Sequence, residues 1–141
     1  MTVSIAFCEL KHRDQMTKAV PFGAALVAAY AKKELGDRIQ ISLYKETDDF
    51  LEALDADIPD VACFSNYKWN ADISLEIARR IKEQRPETVT VFGGPNYPLD
   101  GPEQEEFLHQ YPQVDFYVYR EGELTLVELL RELIASGLDI H

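Results

Sequence analysis

The sequence predicts an α/β domain in which one parallel five-stranded sheet is covered by helices on both faces. Strand-like apolar runs and helix-like periodic stretches alternate five times along the 141 residues, the pattern left by parallel strands joined through crossover helices. The hydrophobic share of 46% and the charged share of 28% are those of an ordinary globular chain, of a length that suits one domain. No apolar run approaches the ~20 residues that cross a bilayer, which argues against a membrane-embedded protein.

Residues 3–8, apolar apart from Ser4, form the first predicted strand. Phe22, Leu26 and Tyr30 recur every four residues in an alanine-rich stretch opened by Pro21 and closed by Gly36, which marks the first helix. Ile39, Ile41 and Leu43 alternate with Gln40, Ser42 and Tyr44, so the second strand is half exposed and belongs at a sheet edge. Thr47 can cap a short helix carrying Phe50, Leu51 and Leu54. Residues 61–64 are an unbroken apolar run ending at Ser65, as in a central strand buried on both faces.

Ile73, Ile77 and Ile81 line the next helix, with Asp72 in its first turn and Arg79, Arg80, Lys82 and Arg85 at its end, where each charge opposes the helix dipole; Pro86 stops it. Residues 88–92 are the fourth strand. Pro102 opens a helix with Glu103, Glu105 and Glu106 in its first turn and Phe107 and Leu108 as apolar contacts. Residues 115–119 are the fifth strand, and Leu126, Leu129, Leu130 and Leu133 stripe a last helix that Gly137 can end. Right-handed crossovers with helices on both faces favour the strand order 2-1-3-4-5, a flavodoxin-like (Rossmann-like) three-layer sandwich spanning residues 1–141 as one domain.

Fourteen basic against twenty-five acidic residues give a net charge of −11, which repels a phosphate backbone and argues against a nucleic-acid partner. Neither a basic leader nor a long apolar stretch opens the chain, so no secretory signal and no membrane partner are expected, and a cytoplasmic location follows. Cys8 and Cys63 sit within apolar runs and read as small buried hydrophobes. No Cys-x-x-Cys or His-x-x-x-His spacing occurs, so a zinc or iron–sulfur site held by this segment is not expected.

Helix-to-strand connections are short and plain, whereas strand-to-helix connections hold the unusual residues: a long loop over residues 9–20, then 65–70, 93–98 and 120–123. Ligands of open parallel sheets bind beyond the carboxyl ends of the strands, so these loops are the candidate site. Gly93 and Gly94, followed by Pro95, Tyr97 and Pro98, either make a tight turn or let a ligand come close to backbone. Tyr67 and Trp69 read equally as an aromatic lid on the sheet or as stacking groups, and Asn70 as a helix cap. His12, between Lys11 and Arg13, reads as a solvated loop residue, and Glu121 with Glu123 as carboxylates favoured at a helix start. No nucleophile elbow, Walker A loop or Gly-x-Gly-x-x-Gly fingerprint is present, and no catalytic constellation is complete.

Phe64-Ser65-Asn66-Tyr67-Lys68-Trp69-Asn70, Val91-Phe92-Gly93-Gly94-Pro95, Val114-Asp115 and Glu121-Gly122-Glu123, in that order and spacing, resemble the cobalamin-binding domain preceding the catalytic barrel of many radical S-adenosylmethionine enzymes. The likeness covers nearly the whole chain. It implies that the cobalamin nucleotide tail is buried at the carboxyl end of the sheet, with Ser65 offering a hydroxyl to its base and Gly93-Gly94 letting it pass the fourth strand. Asn66, Tyr67, Trp69, Pro95, Glu121 and Gly122 complete the implied cofactor-binding set, Tyr67 and Trp69 on the corrin-ring side. Arg120 stands where the family's final Gly-Glu-Gly-Glu turn has its first glycine.

Related modules carry Asp-x-His-x-x-Gly after the first strand, its histidine on cobalt, but here the loop reads Leu10-Lys11-His12-Arg13-Asp14-Gln15 and implies no protein ligand to the metal. S-adenosylmethionine and a [4Fe–4S] cluster would belong to a catalytic domain beyond residue 141 of the same chain, so no catalysis is expected from this segment alone. Two other functions stay open: a vestigial domain that recruits a substrate or partner without cobalamin, and an unrelated flavodoxin-like module. A receiver or flavin carrier fits poorly, because Glu9, Ser65 and Arg120 stand where a receiver needs an acidic cluster, an aspartate and a lysine.

Overall fold

Each apolar run pairs with its neighbour as the alternation predicts, giving one parallel sheet in the order β2-β1-β3-β4-β5. The computed structural model describes residues 1–11, 22–119 and 122–141; Pro21, His12, Arg120 and Glu121 fall outside them. Along the chain the elements are β1 (Val3–Lys11), α1 (Phe22–Leu35), a 3-10 turn (Gly36–Arg38), β2 (Ile39–Glu46), α2 (Thr47–Ala56), β3 (Val61–Ser65), α3 (Ala71–Gln84), β4 (Val89–Gly93), α4 (Gly101–Gln110), β5 (Phe116–Val118) and α5 (Gly122–Ala135). The alternating second strand lies at the edge, as predicted.

The pleat divides the core in two. Val3, Ile5, Phe7, Cys63, Val91 and Val118 face α1 and α5, while Ala6, Cys8, Phe64 and Phe92 face α2, α3 and α4. Fully burying a side chain such as Ile5, Phe92 or Leu130 is worth about 1.5–3 kcal/mol, so these two layers carry the fold. Both cysteines are free and buried, and burial pushes the Cys63 thiol up to about 12.

The structure departs from the sequence expectation at several local points. β1 continues to Lys11 rather than ending at residue 8, because it keeps pairing with β2 across an irregularity, with Lys11 opposite Glu46 and bridged to it at 3.2 Å. The face of α1 turned to the sheet is Ala24, Ala28, Ala31 and Leu35, whereas Leu26 is 47% exposed. Alanines allow the helix axis to approach the sheet more closely than leucine would. Thr47 is the first residue of α2 rather than its cap, and its hydroxyl donates to the Lys11 carbonyl at 2.8 Å. Asn70 precedes α3 without capping it: its Oδ1 accepts from the Tyr67 amide and its Nδ2 donates to the Leu10 carbonyl. β5 is shorter than predicted, since Asp115 turns to α3 and β4, pairing with Lys82 and accepting from the Thr90 amide. Gly137 ends α5 as expected, at φ +70° with the Leu138 amide reaching back to the Leu133 carbonyl.

The amino edge of the sheet is pinned by Asp60, which accepts from the Ser4 amide (2.9 Å), the Ser4 hydroxyl (3.1 Å) and Arg85 (2.8 Å). Burial pushes this carboxyl up, but the bonds from Ser4 and Arg85 outweigh it and hold it below the usual aspartate range. A depressed folded pKa adds stability above the unfolded value of ~3.9 and loses it as pH falls through the folded one. Asp60→Asn is expected to cost about 1 kcal/mol at pH 7, allowing for solvent screening of a partly exposed group. The gap should close below about pH 4 in paired urea melts; a gap unchanged at pH 3 contradicts this account.

Candidate functional site

Parallel register brings the strand ends together. Ser65 pairs with Gly93 and Gly93 with Val118, one row beyond the row Phe7, Cys63 and Val91. Glu9, two residues after Phe7 on β1, continues that last row. Because the row ends in a serine and a glycine rather than large side chains, space remains under the first turns of α1 and α5. It forms a cavity of about 220 Å³ walled by Gly23, Ala24 and Val27 of α1, Gly122 and Leu126 of α5, and the strand ends. An apolar cavity of about 150 Å³ is known to take up benzene, so this one has room for a flat bicyclic group.

Of the residues singled out in the sequence, Ser65, Tyr67, Gly93, Gly94 and Gly122 line this cavity. Asn66, Trp69 and Pro95 do not; they shape its surroundings. Trp69 is 43% exposed and stacks on Tyr67 with ring centroids 5.2 Å apart and planes 6° from parallel. Pro95 is an exposed turn residue.

Asn66 is fully buried and locks two loops together. Its amide donates to the Gly93 carbonyl (2.6 Å), its carbonyl accepts from the Asn96 amide (3.2 Å), and its Nδ2 donates to the Asn96 carbonyl (2.9 Å) and to the Tyr117 hydroxyl (3.3 Å). Tyr117 in turn donates to the Gly94 carbonyl at 2.8 Å. Its phenol is pushed up to about 12 by burial, with Asn66 pulling the other way. Gly94 has φ +118°, and a Cβ there would stand 2.8 Å from the Asn66 carbonyl oxygen. The close approach predicted at Gly94 is therefore made first by the chain's own backbone. At Gly93 a Cβ would meet only ordinary contacts, 3.5 Å to the Val118 carbonyl oxygen, and at Gly122 nothing within 4 Å.

Glu9 lies within β1 and not at the start of the loop that the sequence predicts over residues 9–20. Its Oε1 is buried without a hydrogen-bond partner, and a Cβ on Gly23 would lie 3.3 Å from it. Burial raises the carboxyl above the usual glutamate range, against the neighbouring Ser65 hydroxyl, Ala24 amide and Tyr67 hydroxyl, which favour its charged form. The Tyr67 phenol is raised in turn by burial and by Glu9. The signal that could have found Glu9 is phase: Val3, Ile5, Phe7 and Glu9 fall on one face of a strand. Among the described residues no group of three or more His, Cys, Asp or Glu side chains could hold a metal ion.

The doubly wound parallel sheet thus carries an apolar slot beneath glycine and serine strand ends at its carboxyl edge, the edge at which ligands of such sheets bind. The profile of the B12 binding domain family matches residues 17–130, most of the chain. The chain belongs to that family. Relatives include TokK, a cobalamin-dependent radical SAM methyltransferase of Streptomyces tokunonensis, 33% identical over 86% of this chain and 18% of its own length. The 2-(S-pantetheinyl)-carbapenam-3-carboxylate methyltransferase of Streptantibioticus cattleyicolor is 41% identical over 57% of this chain and 12% of its own. The hopanoid C-3 methylase of Methylococcus capsulatus is 32% identical over 83% and 23%. This chain thus spans less than a quarter of each relative's length.

Solved structures that share the fold include NtrX of Brucella abortus, 14% identical with a TM-score of 0.64 over 98% of this chain and 28% of its own. HP1043, an orphan response regulator of H. pylori, is 17% identical with a TM-score of 0.59 over 94% and 96%. At such identity the likeness concerns the fold alone. No helix among the described residues is long and apolar enough to cross a membrane.

Proposed function

We propose that this domain binds cobalamin, with the nucleotide tail in the cavity at the carboxyl edge, as the cofactor-holding part of a cobalamin-dependent radical S-adenosylmethionine methyltransferase. The observation that carries the reading is the coincidence of an apolar cavity of about 220 Å³ with the family's segments around Ser65, Gly93-Gly94 and Gly122. The residues fit a flat, weakly polar group: Ala24, Val27, Val91 and Leu126 exclude water, and Ser65 supplies a hydroxyl able to donate to or accept from a ring nitrogen. Gly93, Gly94 and Gly122 leave the mouth free of side chains. Tyr67 and its stacked neighbour Trp69 form an aromatic surface on the ring side of that mouth.

Bound cobalamin would supply a cobalt centre able to carry a methyl group, while S-adenosylmethionine and a [4Fe–4S] cluster are assigned to the catalytic domain of the same enzyme. The part played by this chain is to bind and orient the cofactor. Glu121, outside the described residues, stays in the proposed set through its place beside Gly122.

The expected result is that the purified domain mixed with hydroxocobalamin carries it through gel filtration and gives a saturable absorbance titration. A flat titration by absorbance and by calorimetry overturns the reading in favour of a domain that recruits a substrate or partner without the cofactor.

A further inference from the structure

The Glu9 carboxyl stands out among the polar groups near the cavity. A buried polar atom without a hydrogen bond is costly, more so for a carboxyl, and native chains keep few of them. Glu9 Oε1 is such an atom, and no cation among the described residues is paired with it. Glu9 lies just behind the cavity wall: its neighbours Gly23, Ala24, Ser65 and Tyr67 all line the cavity, and Gly23 places no side chain in the space 3.3 Å from Oε1. The adjacent hydroxyls of Ser65 and Tyr67 and the Ala24 amide fix the carboxyl in place without saturating it.

We infer that Glu9 is a specificity residue of this site, whose Oε1 accepts a hydrogen bond from a hydroxyl or amide N–H of the bound molecule. The inference rests on the proposed cobalamin reading and adds a recognition element to it. Cobalamin offers such donors from two sources, the ribose hydroxyls of its tail and the amides on the corrin rim.

The test compares the parent protein, Glu9→Leu and Glu9→Gln in calorimetric titrations with hydroxocobalamin and with cobinamide, which lacks the nucleotide tail, alongside melting curves of the ligand-free proteins. Glu9→Leu is expected to weaken cobalamin binding about 10- to 100-fold, the effect of losing a hydrogen bond to a charged or strongly polar acceptor. Its ligand-free melting temperature should stay within a few degrees of the parent, because removing a buried carboxyl with one unpaired oxygen offsets the loss of the bonds it accepts from Ser65, Tyr67 and Ala24. Glu9→Gln, which keeps one acceptor oxygen, should lose less than Glu9→Leu.

A loss confined to cobalamin assigns the donor to the tail, and an equal loss with cobinamide assigns it to the corrin rim; both support the inference. Affinity within twofold of the parent, or weaker binding accompanied in both variants by a fall in melting temperature of more than about 5 °C, overturns it. If the parent itself binds neither ligand, the cobalamin reading fails and the role of Glu9 falls with it.

Discussion

Gly94→Val is expected to lower the melting temperature by roughly 10–20 °C. Two costs add at this position. The backbone stands at φ +118°, a conformation that side-chain-bearing residues adopt at a cost of about 1–3 kcal/mol. The new Cβ would also press on the Asn66 carbonyl oxygen at 2.8 Å and its amide nitrogen at 3.1 Å, backbone atoms that cannot rotate away, adding about 1–3 kcal/mol of overpacking. Asn66 holds Gly93 and Asn96, so relief by moving it breaks those bonds as well. Differential scanning calorimetry of the ligand-free domain measures the effect, and a fall of less than 5 °C would show that the lock is looser than described. Any loss of ligand binding in this variant is secondary to the damaged turn.

Gly93→Val is expected to do the reverse, weakening hydroxocobalamin binding by at least about 10-fold while the melting temperature stays within a few degrees of the parent. The position is the last residue of β4, where a branched side chain suits the backbone, and its Cβ would meet the Val118 carbonyl oxygen at 3.5 Å and the Val118 Cβ at 3.9 Å, ordinary contacts. Since it shares its row with Ser65 and Val118, the added side chain fills the cavity instead of the opposite face. Titration calorimetry with melting curves on the same samples separates the two effects. Undiminished affinity in a folded variant would remove the tail from this cavity.

The contrast between these neighbouring glycines shows where reading a sequence stops. Two adjacent glycines after an apolar run mark a special turn, and that much was legible; which glycine serves the fold and which faces open space depends on Asn66, 28 residues earlier, reaching across to β4. Strand order was legible because the alternation of Ile39, Ile41 and Leu43 suits an edge, and α3 showed its bounds through Asp72 in its first turn and Pro86 beyond its end. The face of α1 was not legible, since Ala24, Ala28 and Ala31 carry less hydrophobic weight than Leu26 although they make the close contact. Tyr67, Gly93 and Gly94 stood out as unusual residues beyond strand ends and Ser65 and Gly122 through the family likeness, while Gly23 and Ala24 passed as ordinary until the fold put them against the same space, with Glu9 just behind them.

One wall of that space is a sulfur atom. Cys63 lies on the cavity side of β3, and its thiol, pushed up to about 12 by burial, is ionised in only roughly one molecule in 10⁵ at neutral pH. Thiolates are the form of cysteine that attacks alkyl donors and captures soft metals. A cofactor tail lodged here would therefore lie against an inert neighbour, since the apolar burial that builds the slot also keeps the thiol in its neutral, unreactive form.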